Sequence, residues 1–350
     1  MSTSRWRDLD ARLREAIAPD LDRAALAEVV YAEVARYVPY DFACFATTDP
    51  ASGVITWASK TRSLGVGDEE FAATEYGPPD VNKFEDIARR SPPVGALHLD
   101  TDGDPDSCRR HRDYMRPRFG FTDELRAAFV SRGATWGALA LYRAAGDPPF
   151  TADDAAQVAG SLETVAAAIQ RSLFSLPPDQ RTQPAQVESD GPAVLIVDAS
   201  DQVTHLTPAA RVAIEQLGGW DHGALPASLL AVVASSRSSG DPLTSRTLAE
   251  SGTWMSLRAA RLTGAGGGYD VVVSVEATPR ATLSRLALAA HGLTAREEEV
   301  ALLVLQGVNT EGISSALHLS PHTVQDHLKV IFAKVGVRSR RELTARLVLT

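Results

Sequence analysis

The chain has 350 residues, 44% of them hydrophobic and 23% charged, with 2 cysteines and a formal net charge of −9, which excludes disordered, collagenous and coiled-coil chains and any disulfide framework. No run approaches the roughly 20 apolar residues that cross a bilayer, and the opening MSTSRWRDLD lacks an apolar signal core, so a cytosolic protein of two or three domains is expected. The acidity argues against a nucleic-acid partner only if it is evenly spread, and it is not: from Arg285 onward eight basic residues face six acidic ones, a net of +2 that leaves −11 for the rest.

In chain order, helical patterns over Trp6 to Ile17 and Leu21 to Tyr37 precede strand-like runs over Asp41 to Thr47 and Val54 to Ser59, parted by the Asp49-Pro50 turn. Glu124 to Val130 and Thr135 to Tyr142 flank Arg132-Gly133 and predict a hairpin. Thr151 is positioned to cap a long helix whose apolar stripe is Val158, Leu162, Val165, Ile169 and Leu173. The closing WGALALYR strand and PFTADDAAQVAGSLETVAAAI helix resemble the end of a GAF domain, which implies a GAF-like α/β sensor over 1–175.

Four prolines within 175–192 and the absence of periodicity predict a linker at 176–190. Beyond it, PAVLIVDASDQVTHLTPAARVAIEQL predicts two short strands about Ser200-Asp201, then a helix capped by Thr207 with Pro208 at its first position. A helix over Ala227 to Ala234 and two strands, Trp254 to Arg261 and Asp270 to Glu276, follow, with Gly264 to Gly268 as the loop between the strands. The order is similar to a small PAS-type fold and implies a PAS-like α+β module over 191–280. No internal repeat is visible in the sequence.

Several bland readings outweigh sharper ones here. VLIVDAS about Asp198 imitates a phosphoacceptor strand, but Ala199 stands where a second acid is needed and no lysine occurs between 84 and 328, so Asp198 is a turn residue. Cys44, His98, Cys108 and His111 match no closed ligand spacing, and Cys108-Arg109 lacks the Cys-His pair of bilin-carrying GAF domains, so neither metal nor cofactor is expected. An aromatic effector pocket would draw on Trp57, Tyr114 or Trp136, in the GAF-like or the PAS-like part. No nucleophile elbow, phosphate loop or metal cluster supports an enzyme.

The final segment, 285–350, carries the specific pattern. Thr294 and Glu297 form a capping box, Thr310 opens a short second helix, and Ser320-Pro321 starts a third, which is the helix-turn-helix plan. On the third helix Val324, Leu328, Ile331 and Val335 make one buried stripe. The opposite face presents His322, Gln325, Asp326 and Lys329, groups suited to base edges in a major groove: Gln325 to adenine, Asp326 to a cytosine amine, Lys329 to guanine or phosphate. Lys334, Arg338, Arg340 and Arg341 extend the positive patch and suit phosphates, and Ser339 with Glu342 repeats the capping box on a fourth helix.

Residues 293–348, with LTAREEEV, SPHTVQDHL and KVGVRSRREL, closely resemble the LuxR/GerE-type helix-turn-helix of bacterial transcription factors over about a sixth of the chain. The resemblance implies an all-α four-helix domain that binds double-stranded DNA as a homodimer, pairing through the fourth helix with Leu343 and Leu347. It also implies that Thr323 touches phosphate. Gly312 replaces the family's usual Glu, at a helix-interior cost of about 1 kcal/mol. The expected whole is a multidomain α+β transcriptional regulator without enzymatic activity. A quorum-sensing acyl-homoserine-lactone receptor is the alternative, disfavoured by the extra 191–280 module.

Overall fold

The computed structural model describes residues 6–174, 191–263 and 269–348; the linker expected at 176–190 and the loop Gly264 to Gly268 lie outside the described residues. The chain divides into two compact units, Met1–Ala277 and Thr278–Thr350. Among the described residues no helix is long and apolar enough to cross a membrane.

The first unit opens with α1 (Trp6–Ala16) and α2 (Arg23–Tyr37), then β1 (Phe42–Thr48), β2 (Ile55–Lys60) and α3 (Glu69–Tyr76). Short turns α4 (Phe84–Ile87), α5 (Leu97–Asp100) and α6 (Arg116–Phe119) surround β3 (Val94–Ala96) and a π turn at His111–Met115. The hairpin β4 (Phe121–Ser131) and β5 (Ala134–Ala144) follows, then α7 (Ala152–Phe174). Thr151 caps α7: its hydroxyl accepts from the Asp154 amide at 3.1 Å while its own amide donates back to the Asp154 carboxylate at 2.9 Å. The unit continues with β6 (Ala193–Val197), β7 (Val203–Leu206), α8 (Pro208–Gln216), α9 (Ala227–Ser239), β8 (Leu243–Leu248), β9 (Trp254–Arg261) and β10 (Val271–Ala277).

The two sheets are antiparallel and run in the orders β2-β1-β5-β4-β3 and β7-β6-β10-β9-β8. Counted within each sheet, both orders are second, first, fifth, fourth, third. The sequence shows no repeat, yet the connectivity is used twice; the repeat lives in topology, which side-chain identity does not record.

In the first sheet the two faces differ in side-chain size. Phe45, Leu139 and Leu141 point to the side where α7 lies, and Gly137 lets the layers approach, since a Cβ there would meet Ala46 O at 2.4 Å and Ile169 Cδ1 at 2.8 Å. The other face carries Cys44, Ala46, Ala138 and Ala140, with Phe42 and Tyr142 at one end, and takes α9 of the second sheet's module. One apolar core therefore runs through both modules: Ala46, Ile55 and Ala72 pack with Leu229, Val233 and Leu257. Polar contacts reinforce the junction. Arg246 meets the buried Asp49 carboxylate at 3.2 Å, and the Thr247 hydroxyl donates to Thr56 O at 2.8 Å.

A buried ion cluster lies along β4. Glu124 faces Arg110 at 2.5 Å and Arg126 at 3.4 Å, and Arg126 reaches Glu75 at 2.7 Å while stacking over Phe84 at 3.7 Å. Asp198 is a turn residue, its carboxylate accepting from the Ser200 and Gln202 amides at 2.8 and 3.0 Å.

The second unit is all helical: α10 (Arg280–Ala290), α11 (Ala295–Leu305), α12 (Thr310–Leu317), α13 (Pro321–Val335) and α14 (Arg340–Val348). The expected four helices are joined by α10, which packs on α11 and α14.

Candidate nucleic-acid interface and effector cavity

Local caps fix the frame of the helical unit. Thr294 and Glu297 close the reciprocal capping box of α11. The Lys334 ammonium reaches Glu297 at 2.6 Å, tying α13 to α11. Burial raises the Glu297 carboxyl, but this ammonium and the Thr294 groups outweigh it and hold the carboxyl below its ordinary value. Lys334 is thus committed to the scaffold, which corrects its assignment to the exposed basic set.

The cap of α12 is Asn309, whose side chain accepts from the Gly312 amide at 2.8 Å, so Thr310 is the first helical residue and not the cap. Gly312 stands in the first turn, where the helix-interior cost does not apply in full. A Cβ there would lie 2.7 Å from Val308 Cγ1. His318, at φ 53°, ends α12 in the left-handed conformation, and Ser320 starts α13 by accepting from the Thr323 amide at 3.1 Å. Between these two caps the chain turns in three residues.

Val324, Leu328, Ile331 and Val335 are buried, as the periodicity predicts, together with Val300, Val304 and Ile313. His322, Gln325, Asp326 and Lys329 are all exposed on the other side of α13, and Val330 beside them is 42% exposed. Asp326 accepts from Lys329 at 3.1 Å and lies 3.6 Å from His322 Nε2, and these partners, Lys329 first, hold its carboxyl below the ordinary range. Exposed pairs of this kind contribute little because water screens them, so either group exchanges its partner for a ligand readily.

Gln325 is held differently. Its Nε2 donates to Thr310 Oγ1 at 3.2 Å, and the same oxygen accepts from Arg340 Nη2 at 2.8 Å. Arg340 also donates to Val308 O at 3.0 Å, so it pins the start of α12 to α14 and is not a free phosphate clamp. Sequence reasoning missed Thr310 in this role; nothing local links positions 310, 325 and 340. The half-buried Thr323 shares a hydrogen bond with Ser320 at 2.8 Å, while Arg338 and Arg341 are exposed. Glu342 accepts from the Arg338 amide at 2.8 Å in place of the Ser339 amide that a strict box would use.

Leu343 and Leu347 do not offer a dimer surface. They are 0% and 2% exposed, packed within the helical unit where α14 meets α10 and α11. An i, i+4 leucine pair marks an apolar stripe, and here the chain's own core consumes it.

In the first unit an apolar cavity of about 50 Å3 lies between the small-residue face of the first sheet, α3 and α9. Tyr114 lines it. Trp57 lines an adjoining polar cleft of about 250 Å3, and Trp136 is 1% exposed in the core. Cys44 also lines the cavity, where burial pushes its thiol up to about 12, whereas Cys108 is buried beside Asp80. Among the described residues no group of three His, Cys, Asp or Glu side chains is placed to hold a metal.

Residues 291–347 match the family described as bacterial regulatory proteins, luxR family. A protein of Aeromonas salmonicida named as an HTH-type transcriptional regulator in the exeN 3' region is 47% identical over 51 residues, 15% of this chain and 26% of that protein. A Mycobacterium bovis protein named as an HTH-type transcriptional regulator is 35% identical over 80 residues, 23% of this chain and 9% of its own length. The chain thus spans about a quarter or less of these relatives. Among solved structures, Escherichia coli SdiA aligns over 99% of this chain and 96% of its own at 11% identity and a TM-score of 0.36.

Proposed function

We propose, from the membership of residues 291–347 in the luxR family of bacterial regulatory proteins, that the chain is a sequence-specific, DNA-binding transcriptional regulator of the cytoplasm. The observation that carries this reading is the exposed row His322, Gln325, Asp326 and Lys329 on a helix whose opposite face is locked into the core. A capped helix with hydrogen-bonding groups along its outer N-terminal half suits the major groove. Arg338 and Arg341 supply exposed positive charge beside it for phosphates.

The chain acts as a homodimer with recognition helices on half-sites about one helical turn apart. With Leu343 and Leu347 buried, the dimer contact falls to the outer side of α14, where Arg341 and Ala345 border a groove with Val304 and Val308. The GAF-like (1–175) and PAS-like (191–280) parts sense a small molecule and modulate binding. The two modules sharing one core supports a sensory unit that responds as a whole.

Binding-site selection from randomised duplexes tests the reading. The wild type enriches one motif, and the double substitution Gln325→Ala, Lys329→Ala abolishes that selectivity; a double variant that enriches the wild-type motif overturns the groove assignment. If a chain lacking residues 1–280 binds the motif with unchanged affinity, salt dependence and stoichiometry, the sensory role is overturned.

A further inference from the structure

We propose that the chamber between the first sheet and α9 binds a small amphipathic amine: hydrocarbon in the apolar compartment, ammonium at the Lys60–Asp68–Asp221 cluster. The proposal rests on the reading of the first unit as sensory and gives its effector a chemical class.

The inner compartment exists because Cys44, Ala46, Ala138 and Ala140 leave one sheet face short of side-chain volume, and Leu230 and Ala231 of α9 close over it. Its volume, about 50 Å3, accommodates a short hydrocarbon chain. It shares Ala58, Lys60, Asp68 and Ala227 with the polar cleft of about 250 Å3, so these residues form the partition between a dry space and a wet one. A ligand crossing that partition needs an apolar end and a polar end.

Charge decides the polar end. The Lys60 ammonium lies 2.7 Å from Asp68 and 3.9 Å from Asp221, one cation against two carboxylates, with Lys60 only 17% exposed. On the far wall lies Glu250, in the neighbourhood of Arg23, which stacks over Trp57 at 5.0 Å. The His222 imidazole meets the other oxygen of Asp221, with Nδ1 2.7 Å from Oδ1, while Lys60 faces Oδ2. The formal charges of Lys60, Asp68 and Asp221 sum to −1, which a monocation neutralises and a carboxylate doubles.

The test is thermal unfolding and calorimetric titration of the full chain at pH 7.5 with n-propylamine and n-butylamine, against 1-propanol, 1-butanol, butanoate and pentanoate. The amines raise the melting temperature in a saturable way and bind at least tenfold more tightly than the acids. Asp68→Asn removes the preference for amine over alcohol. Lys60→Ala melts earlier than the wild type, and the amines, supplying the missing ammonium, restore it by a larger shift than they give the wild type. If Asp68→Asn does not fold, the Lys60→Ala rescue decides. Acids binding as well as amines, or alcohols rescuing Lys60→Ala equally, overturn the amine class and leave the sensory reading standing. No shift with any probe on either protein overturns the chamber as a ligand site, while the truncation experiment above judges the sensory role independently.

Discussion

At the scale of single residues, the hydroxyl of Thr310 does more than its position at a helix start suggests. It accepts from both Gln325 and Arg340, and so holds Gln325 in one orientation before any ligand arrives. Thr310→Val removes the acceptor. The expected outcome is a selected DNA motif that loses information at the base read by Gln325, a discrimination worth about 1–3 kcal/mol, with Thr310→Ser restoring it. In the first unit, Glu124→Gln leaves Arg110 and Arg126 without their shared carboxylate and should cost about 3–5 kcal/mol in denaturant unfolding. Burial raises the Glu124 carboxyl, but Arg110 and then Arg126 outweigh it, so the folded value lies below the ordinary 4.5. The stability this gives is complete above that ordinary value and is lost as pH falls through the lower folded one. Acid titration of unfolding should therefore show a steeper acid limb in the wild type than in Glu124→Gln. The sequence made Thr294, Glu297 and Ser320 legible because caps act across three residues. It displayed the charges of Lys334 and Arg340 without their partners, since Glu297 and Thr310 lie 37 and 30 positions away.

At the scale of elements, α13 was readable because its period sorts the side chains cleanly, one face apolar and buried, one polar and exposed. On α14 the dimer role of Leu343 and Leu347 came from the family resemblance, and an apolar stripe there says that a face is buried but not by which chain. Leu343→Ala should therefore destabilise the helical unit by about 2–5 kcal/mol and leave the dimer constant of the folded protein unchanged, as sedimentation equilibrium below the melting temperature would show. The strand β8 escaped notice for the opposite reason. Its inward residues Ser245 and Thr247 are 0% and 1% exposed but polar, so the hydrophobic alternation that marks a strand is missing. β3, three residues long, is too short to carry a period.

At the scale of the whole molecule, the chain divides into compact units after Ala277, and within the first unit one apolar core runs through the parts on either side of 176–190. Prolines in a sequence raise the expectation of a linker but cannot report whether the parts on either side pack together. A fragment of residues 1–175 alone would bare Ala46, Ile55 and Ala72, so it should bind a hydrophobic dye and melt below the 1–277 unit; equal melting would contradict the joint core.

The seating of α9 has a thermodynamic corollary. A wall supplied by one module to the cavity of another makes occupancy and docking two readings of a single coupling free energy. Whatever factor a bound molecule contributes to holding α9 in place, a change that loosens α9 takes from that molecule's affinity, by the same factor and in either direction. Substitutions at α9 positions that do not line the cavity, Leu229 and Val233 among them, are then expected to retune sensitivity without altering which molecule is preferred.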